Sequence, residues 1–588
     1  MAENDGRTPS QHIAVGAPAH IGTANNSAAR TQPVAGRAKA PKSAAAAAEP
    51  KDSLREVVET VVFVVVLVLL LKSFVAEAFV IPTGSMAETL YGYQKMVVCP
   101  KCKFEFPVNC SCEVDPQGEP PADVIGCTCP NCRYHLDFAH DFDGRSKWPS
   151  WNTGDRVLVG KYFYDLDIGS LRAPHRYEVV VFKYPKEPQK GYTPLNYIKR
   201  LIGLSGETIA IHYGKLYCYD KLTYDDRDVP EAELWQHSYM HDNDRLAEEA
   251  FGEGKFWILR KPPEQVLSER RIVYDNDHQA TDLNGKPEFL RWQAKGNAAA
   301  WVGNNKDAPT VFHHAAGDGG QIDWLRYQHL IPDDNRTSTK PELITDFMGY
   351  NTFVKDRGFP HPLPSPNWVG DLMVECNVDV QQPQGDLLFE LSKGVDRFLA
   401  RFDLASGRCT LVRVDDDGEQ ELGSQETILK KGGKHRVRFA NVDDRLLVWV
   451  DSSLPFGDGL NYTAPRRRGP WAPNDLERPA SIGVKNGGVA ISELKLWRDT
   501  YYPTNVDGQG ADHGNNPVDF GDPKTWGPLR DLRPRTMYVQ PNHFLCMGDN
   551  SPESSDGRSW GTVPRRLLLG RALLTYYPFL RSRAGRIE

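Results

Sequence analysis

The sequence predicts a mainly β protein: one N-terminal transmembrane helix, then a β-rich domain interrupted by a cysteine-rich module and by a large insertion containing a β-sandwich. Three observations predict it. An unbroken apolar run, Val61 to Leu71, follows a polar, alanine-rich start. Alternation of apolar and polar residues with period 2 recurs through much of the remaining chain. Seven of the eleven cysteines fall between Cys99 and Cys132.

At 588 residues the chain exceeds what one hydrophobic core supports, so several folded units are expected. The net charge of -7 and the lack of a long basic tract argue against nucleic acid as a partner, since such binders carry a clustered Lys/Arg face. Eleven cysteines in this length are too few for a disulfide-built scaffold, but their clustering implies a local metal or disulfide site.

Residues 1–54 are dominated by Ala, Pro, Ser, Thr and Gly, with too few large apolar side chains to offset the entropy of ordering, and are read as a disordered tail. Residues 55–80 are expected to form the transmembrane helix, with Glu59 and Lys72 snorkelling toward the headgroups. The strictly apolar part is shorter than the roughly 20 residues of a usual span, so a cleaved signal sequence or a buried core helix competes with an anchor. The anchor is favoured because no small-residue cleavage site directly follows and the run starts some fifty residues in. Lys39, Lys42, Lys51 and Arg55 before it favour a cytoplasmic N-terminus and a body on the other side.

The β-rich domain is expected in three pieces, 81–98, 150–222 and 535–580. Between the first two, residues 99–140 carry Cys99-Pro-Lys-Cys102 and Cys129-Pro-Asn-Cys132, two C-x-x-C knuckles whose four thiolates suit tetrahedral zinc. The module is read as zinc-ribbon-like. Cys110, Cys112 and Cys127, with an extracytoplasmic location, leave paired disulfides as the alternative. Residues 223–344 show no repeat period and no clear fold. Over 345–502, DLMVECNVDV, FLARFDL, HRVRFANV and RLLVWVD alternate between turn signals, with ISELKLWRD as a closing strand. This stretch resembles a laminin-G or concanavalin-like sandwich, whose loops could take a glycan or protein ligand or serve only as a spacer.

Chemistry concentrates in the β-rich pieces. IPTGSMAETL sets Ser85 on a Pro-Thr-Gly turn, where an ordinary turn or N-cap serine is the plain alternative. GDRVLVGKYFYDL and YEVVVFKYP read as strands, and NYIKRLIGLSGETIAI places Lys199 among apolar neighbours. A strand lysine commonly reaches solvent. If buried, its ammonium is disfavoured and a neutral amine can take a proton from serine. HFLCMGDNSPESSDGRSWGTVP supplies Asp549, Asp556 and Arg558 as ion-pair partners on a polar loop.

These four segments, in this order after a membrane segment, resemble the bacterial type I signal peptidases through PTGSM, GDRVLVGKYFY, YIKRLIGLSGE and GDNSPESSDGRSWGTVP. The resemblance covers residues 55–98, 150–222 and 535–580. It implies Ser85 as nucleophile, Lys199 as general base, and an oxyanion hole from the Ser85 N–H and the Thr83 hydroxyl, where the family often has serine. It also implies Ser554 as the serine that orients the lysine amine, and Asp549, Arg200, Asp556 and Arg558 as charged supports. The family usually has Arg-Asp-Asn after Gly-Asp-Asn; here Ser551, Pro552 and Glu553 precede Ser554 instead.

By the same resemblance the reaction is acyl transfer with no catalytic cofactor, the partners are the lipid bilayer and exported preproteins with small residues at the first and third positions before the cut, and the location is the bacterial cytoplasmic membrane, crossed once. Two other readings compete: a membrane-anchored binding or adhesion protein with an inactive peptidase core, and a self-cleaving repressor-type protease, against which the membrane segment and the lack of a DNA-binding pattern count.

Overall fold

A computed structural model describes residues 53–578 and 585–587, apart from 117–119, 162–163, 165–172, 186–194, 225–240, 297–299, 318, 357–365, 465–466 and 505–510. The expected tail lies outside the described residues up to residue 52. Two compact units divide the chain, residues 1–65 and 66–588. In the first, the described residues are α-helical.

The expected helix over 55–80 is corrected. An α-helix spans Ser53–Leu70, a π-helical turn follows at Leu71–Val75, and Ala76–Val80 is a strand paired antiparallel with Arg156–Gly160. Among the described residues no helix is long and apolar enough to cross a membrane. The reason is local: Arg55, Glu56 and Glu59 occupy its first turns, leaving a charge-free helical stretch of about 16 Å at 1.5 Å per residue. The apolar side chains along it are nonetheless exposed, Phe63 by 64% and Val61 by 56%.

The second unit is mainly β. Its first sheet runs, in spatial order, Ala76–Val80, Arg156–Gly160, Leu568–Tyr577, Val179–Lys183, Asn196–Gly203, His543–Met547 and Val563–Pro564, with Gly585–Arg586 on the Leu568–Tyr577 strand. Chain segments separated by hundreds of residues thus share one sheet. Val179–Lys183, a near-continuous apolar run, is buried, and so is most of Asn196–Gly203, including the charged Lys199 and Arg200. A four-stranded sheet runs, in spatial order, Trp257–Ile258, Lys215–Tyr219, Thr208–His212 and Arg535–Tyr538.

The insertion contains two large sheets, of eight and seven strands, around a core that includes Val378, Phe389, Phe402, Phe439 and Ile482. Leu372–Gln382 shows the patterning: Cys376, Val378 and Val380 point into the core, while Asn377 and Asp379 are half-buried. The sandwich begins well before residue 345. Arg271–Asp275, Trp301–Gly303 and Phe312–His314 join the eight-stranded sheet, and Trp292–Lys295 and Asp323–Tyr327 join the other. These strands have only three to five residues each, too few to display a period between polar loops.

The cysteine-rich module is two three-stranded sheets: Glu105–Asn109, Gln94–Val98 and Trp151–Asn152, and Val354–Lys355, Val124–Thr128 and His135–Asp137. Each C-x-x-C pair leaves the end of a strand, and the two turns repeat one another bond for bond. Lys103 N–H donates to Cys99 O and Arg133 N–H to Cys129 O, at 2.9 and 3.1 Å. Cys99 N–H donates to Phe104 O and Cys129 N–H to Tyr134 O, both at 2.9 Å. Lys103 and Arg133 each take a left-handed φ of 60°.

Candidate active site

Ser85 sits in a run of turns from 83 to 90, just after the first strand of the large sheet. The Gly154-Asp155 pair of the GDRVLV segment holds the base of this turn. Ile81 N–H donates to Asp155 O at 2.9 Å, and Tyr91 N–H donates to Asp155 Oδ2 at 2.8 Å. Gly154 has no alternative there: a Cβ would fall 1.7 Å from Ile81 O.

The GDN of the last motif holds the other side. Asn550 N–H donates to Ser85 O at 3.1 Å and Asn550 Nδ2 to Gly84 O at 3.0 Å. A Cβ on Gly548 would lie 2.4 Å from Ser85 O.

Lys199 stands in the middle of Asn196–Gly203, opposite Val180 on the neighbouring strand, and is 2% exposed. Its Nζ donates to Ser85 Oγ. Burial pushes the Lys199 amine down to about 8, against the pull of Asp556 and Asp549 and with help from Arg558. Ser85 is half-buried. A hydroxyl beside a dry amine whose ammonium form is disfavoured is an arrangement that can transfer its proton and attack an electrophile.

The remaining expected residues surround this contact. Arg200, next along the strand and facing the opposite way, grips Asp549, and also meets Glu269 at 3.1 Å and donates to Tyr177 O. Asp549 accepts a further bond from Thr89 Oγ1. Arg558 grips Asp556 at 2.9 and 2.6 Å, and Asp556 Oδ2 accepts the Gly548 N–H at 2.9 Å. Thr83 is half-buried, its backbone against Gly92, where a Cβ would fall 2.4 Å from the Thr83 carbonyl carbon.

Ser554 differs from expectation. Its Oγ is buried without a hydrogen-bond partner among the described residues, so no bond to Lys199 orients the amine. Ser551–Glu553, where the family pattern differs, form a 3-10 turn directly before Ser554, and the side chain lies against Gly548.

Sequence reasoning missed the contributions of the insertion. Arg271 Nη2 donates to Ala87 O and Asp549 O at 3.3 and 3.1 Å, and Asn351 and Asn550 exchange side-chain amide bonds at 2.8 and 2.9 Å. Tyr350 packs on Ala87 and stacks on Tyr91 with ring centroids 5.4 Å apart. Asn550 stood inside a recognised motif and was findable there. Arg271, Tyr350 and Asn351 lie more than 180 residues, and Glu269 lies 69 residues, from the motif residues they touch, and none carries a local signal.

Among the described residues, two side-chain groups have the makings of a metal site. Cys99, Cys102, Cys129 and Cys132 are buried free thiols whose sulfurs all lie within 4.8 Å of one another. Asp371, Asp443 and Asp499 also converge, but Lys393 is 2.6 Å from Asp371, and Lys261 is 3.0 and 2.7 Å from Asp443 and Asp499, so they form a buried ion-pair network.

Residues 135–262 and 482–577 match the family described as signal peptidase, peptidase S26. Curated relatives named Signal peptidase I are similar in part. That of Pseudomonas aeruginosa is 38% identical over 68 residues, 10% of this chain and 22% of the relative. That of Bacillus caldolyticus is 28% identical over 179 residues, 29% of this chain and 88% of the relative, and that of Aquifex aeolicus is 35% identical over 77 residues, covering 26% of it. The chain thus spans about a fifth of the Pseudomonas relative and most of the Bacillus one.

Among solved structures, a carbohydrate binding module, CBM66, from Bacillus subtilis aligns with 35% of this chain and 95% of its own at 8% identity, with a TM-score of 0.22. Sheep galectin-11 aligns with 22% of this chain and 90% of its own at 14% identity and a TM-score of 0.16. Scores this low assign no ligand to this chain. The family match and the relatives thus make the chain similar, over part of its length, to the signal peptidases of peptidase S26, and the ordered motifs that meet around Ser85 and Lys199 are in keeping with the relatives named Signal peptidase I.

Proposed function

We propose that the chain is a membrane-attached serine endopeptidase that removes signal peptides from exported preproteins after small-x-small sites. The contact between Lys199 Nζ and Ser85 Oγ, in a site that keeps the amine near pKa 8, carries the reading.

Neutral Lys199 takes the Ser85 hydroxyl proton as Oγ attacks the scissile carbonyl carbon. The Ser85 N–H and the Thr83 hydroxyl hold the oxyanion. The ammonium of Lys199 returns its proton to the leaving amine, and a water activated by the same amine releases the acyl group from Ser85. Asp549, Arg200, Asp556 and Arg558 hold the loops rather than react. A binding protein with an inert core has no use for this contact, and no observation favours it.

Attachment to a membrane surface is assigned to the exposed apolar helix Ser53–Leu70. Cleavage of a synthetic preprotein peptide with an Ala-x-Ala site by the detergent-purified chain tests the activity. Cutting after the last alanine that disappears in Ser85→Ala and in Lys199→Ala is expected. A well-folded wild type that leaves the peptide whole rejects the reading.

A further inference from the structure

We propose that one zinc ion held by Cys99, Cys102, Cys129 and Cys132 fixes the position of the nucleophile turn, acting through the segment 349–352 of the insertion. The inference rests on the peptidase reading only in that the turn carries Ser85.

The cysteine geometry fits the ion. Cys99 and Cys132 sulfurs are 3.6 Å apart, as are those of Cys102 and Cys129. Four sulfurs about 2.3 Å from a tetrahedral zinc stand about 3.8 Å from one another. The two turns that present them repeat the same backbone bonds and the same left-handed residue, so each offers both its sulfurs to one point. A closed set of four thiolates leaves no open position, and such an ion is structural rather than catalytic.

The second knuckle is bonded directly to the segment 349–352. Thr128 N–H donates to Thr352 Oγ1 at 2.9 Å, and Thr352 Oγ1 donates to Thr128 O at 3.2 Å. Gly349 lies on Pro130, inside the knuckle itself, so close that a Cβ would stand 2.8 Å from the proline ring. The other end of this short segment holds the nucleophile turn. Tyr350 covers Gly84, Ala87 and Tyr91, and Asn351 shares two amide bonds with Asn550, which in turn binds the Gly84 and Ser85 carbonyls.

Asn351 and Asn550 are both buried, so neither amide has water as a substitute partner. Four buried thiols without an ion have little reason to converge, and loosening the second knuckle loosens its hold on residues 349–352. Asn351 is thus a positioning residue that joins a metal site to a reactive serine.

The test uses the full chain in detergent, as purified, stripped of metal with a chelator, and reloaded with zinc. About one equivalent of zinc is expected, replaceable by cobalt with a thiolate charge-transfer band. Stripping should speed amide hydrogen exchange over residues 84–92 and lower kcat on the Ala-x-Ala peptide roughly ten-fold, the size of one lost buried hydrogen bond, with reloading restoring both. Asn351→Ala should keep its zinc, lose a similar factor in kcat with KM within about two-fold, and lose little more on stripping, because both changes cut one path.

A purified chain without metal and with these cysteines in disulfides overturns the proposal, as does a folded, stripped chain with unchanged exchange over 84–92. If stripping unfolds the chain, Asn351→Ala decides alone: zinc-loaded with unchanged exchange over 84–92, it refutes the link. Should the zinc-loaded wild type cut no peptide, the peptidase reading fails while the exchange measurement still decides this one.

Discussion

Arg200 closes a two-pronged ion pair on Asp549, Nε to Oδ1 at 2.9 Å and Nη2 to Oδ2 at 2.6 Å, with both side chains wholly buried. The pair sits behind the nucleophile turn, because the next residue, Asn550, binds the Ser85 carbonyl and the preceding strand residue, Lys199, binds the Ser85 hydroxyl. Adjacent residues on one strand and in the bend that follows its neighbour therefore serve opposite duties: one of each pair locks the two segments together, and the other meets the serine.

Removing one partner of this pair leaves the other charged, buried and uncompensated, which commonly costs about 3–5 kcal/mol. Arg200→Met is expected to lower the stability of the folded domain by that order, with Glu269 left beside Asp549 as a second unneutralised carboxylate. Denaturant unfolding followed by tryptophan fluorescence measures it. A midpoint unchanged from wild type would show that the pair contributes nothing net.

The pH dependence follows from Lys199. Only the neutral amine accepts the serine proton, and burial holds its pKa near 8. Peptide cleavage measured as kcat/KM should therefore rise about ten-fold per pH unit below 8 and level off above it. Stability moves in the same direction. Between about 8 and the ordinary 10.5 the unfolded chain holds a proton on this lysine that the folded chain does not, so unfolding becomes harder as pH rises through that window. Below 8 both states carry the proton and the full cost is present. Lys199→Arg should be inactive at every pH tested, since a guanidinium keeps its proton. A rate that is flat from pH 6 to about 9 would remove Lys199 from the proton transfer.

Gly84 is packed against the hydroxyl end of the Tyr350 ring rather than free at a loop tip. A Cβ there would fall 2.4 Å from Tyr350 Cε1 and 2.9 Å from Cζ, and the ring is itself stacked on Tyr91 and buried. Gly84→Ala must displace either the ring or the turn. We expect kcat to fall roughly ten- to hundred-fold, about 1–3 kcal/mol of transition-state stabilisation, with a smaller change in KM. Gly84→Ala combined with Tyr350→Ala should recover part of the loss, which a peptide assay on the double variant reads directly.

What the sequence made legible was what depends on neighbours along the chain. The knuckles around Cys99 and Cys129 are contiguous six-residue units, and Lys199 stands out because a strand of Ile, Leu and Gly surrounds it. A long strand such as Leu372–Gln382 displays its period, whereas Trp301–Gly303 cannot. The support of the serine turn by Arg271, Tyr350 and Asn351 was not legible, because each contact joins residues separated by 180 positions or more. The helix was misjudged at its end: AEAFV continues an apolar pattern, but its backbone bonds go to Arg156–Gly160 instead of to the preceding turn. Pairing with a distant strand overrides what local hydropathy suggests.

That early end to the helix also sets how membrane attachment is to be tested. Between Leu54 and Leu71 the apolar side chains are exposed on every side, a composition unfavourable in water and suited to hydrocarbon. If this helix is the attachment, charge placed along it should release the chain. Val62→Lys, Val66→Lys and Leu69→Lys together introduce three cations, each costing about 2.5–3.5 kcal/mol near the middle of an apolar segment. The triple variant should shift from the floating to the bottom fraction in liposome flotation. It should still cut a soluble Ala-x-Ala peptide, because the substitutions lie before the strand Ala76–Val80 that joins the catalytic sheet. A triple variant that floats as wild type does would move the attachment elsewhere on the molecule, and one that floats poorly and also loses peptide cleavage would mean that the helix supports the fold of the catalytic sheet as well.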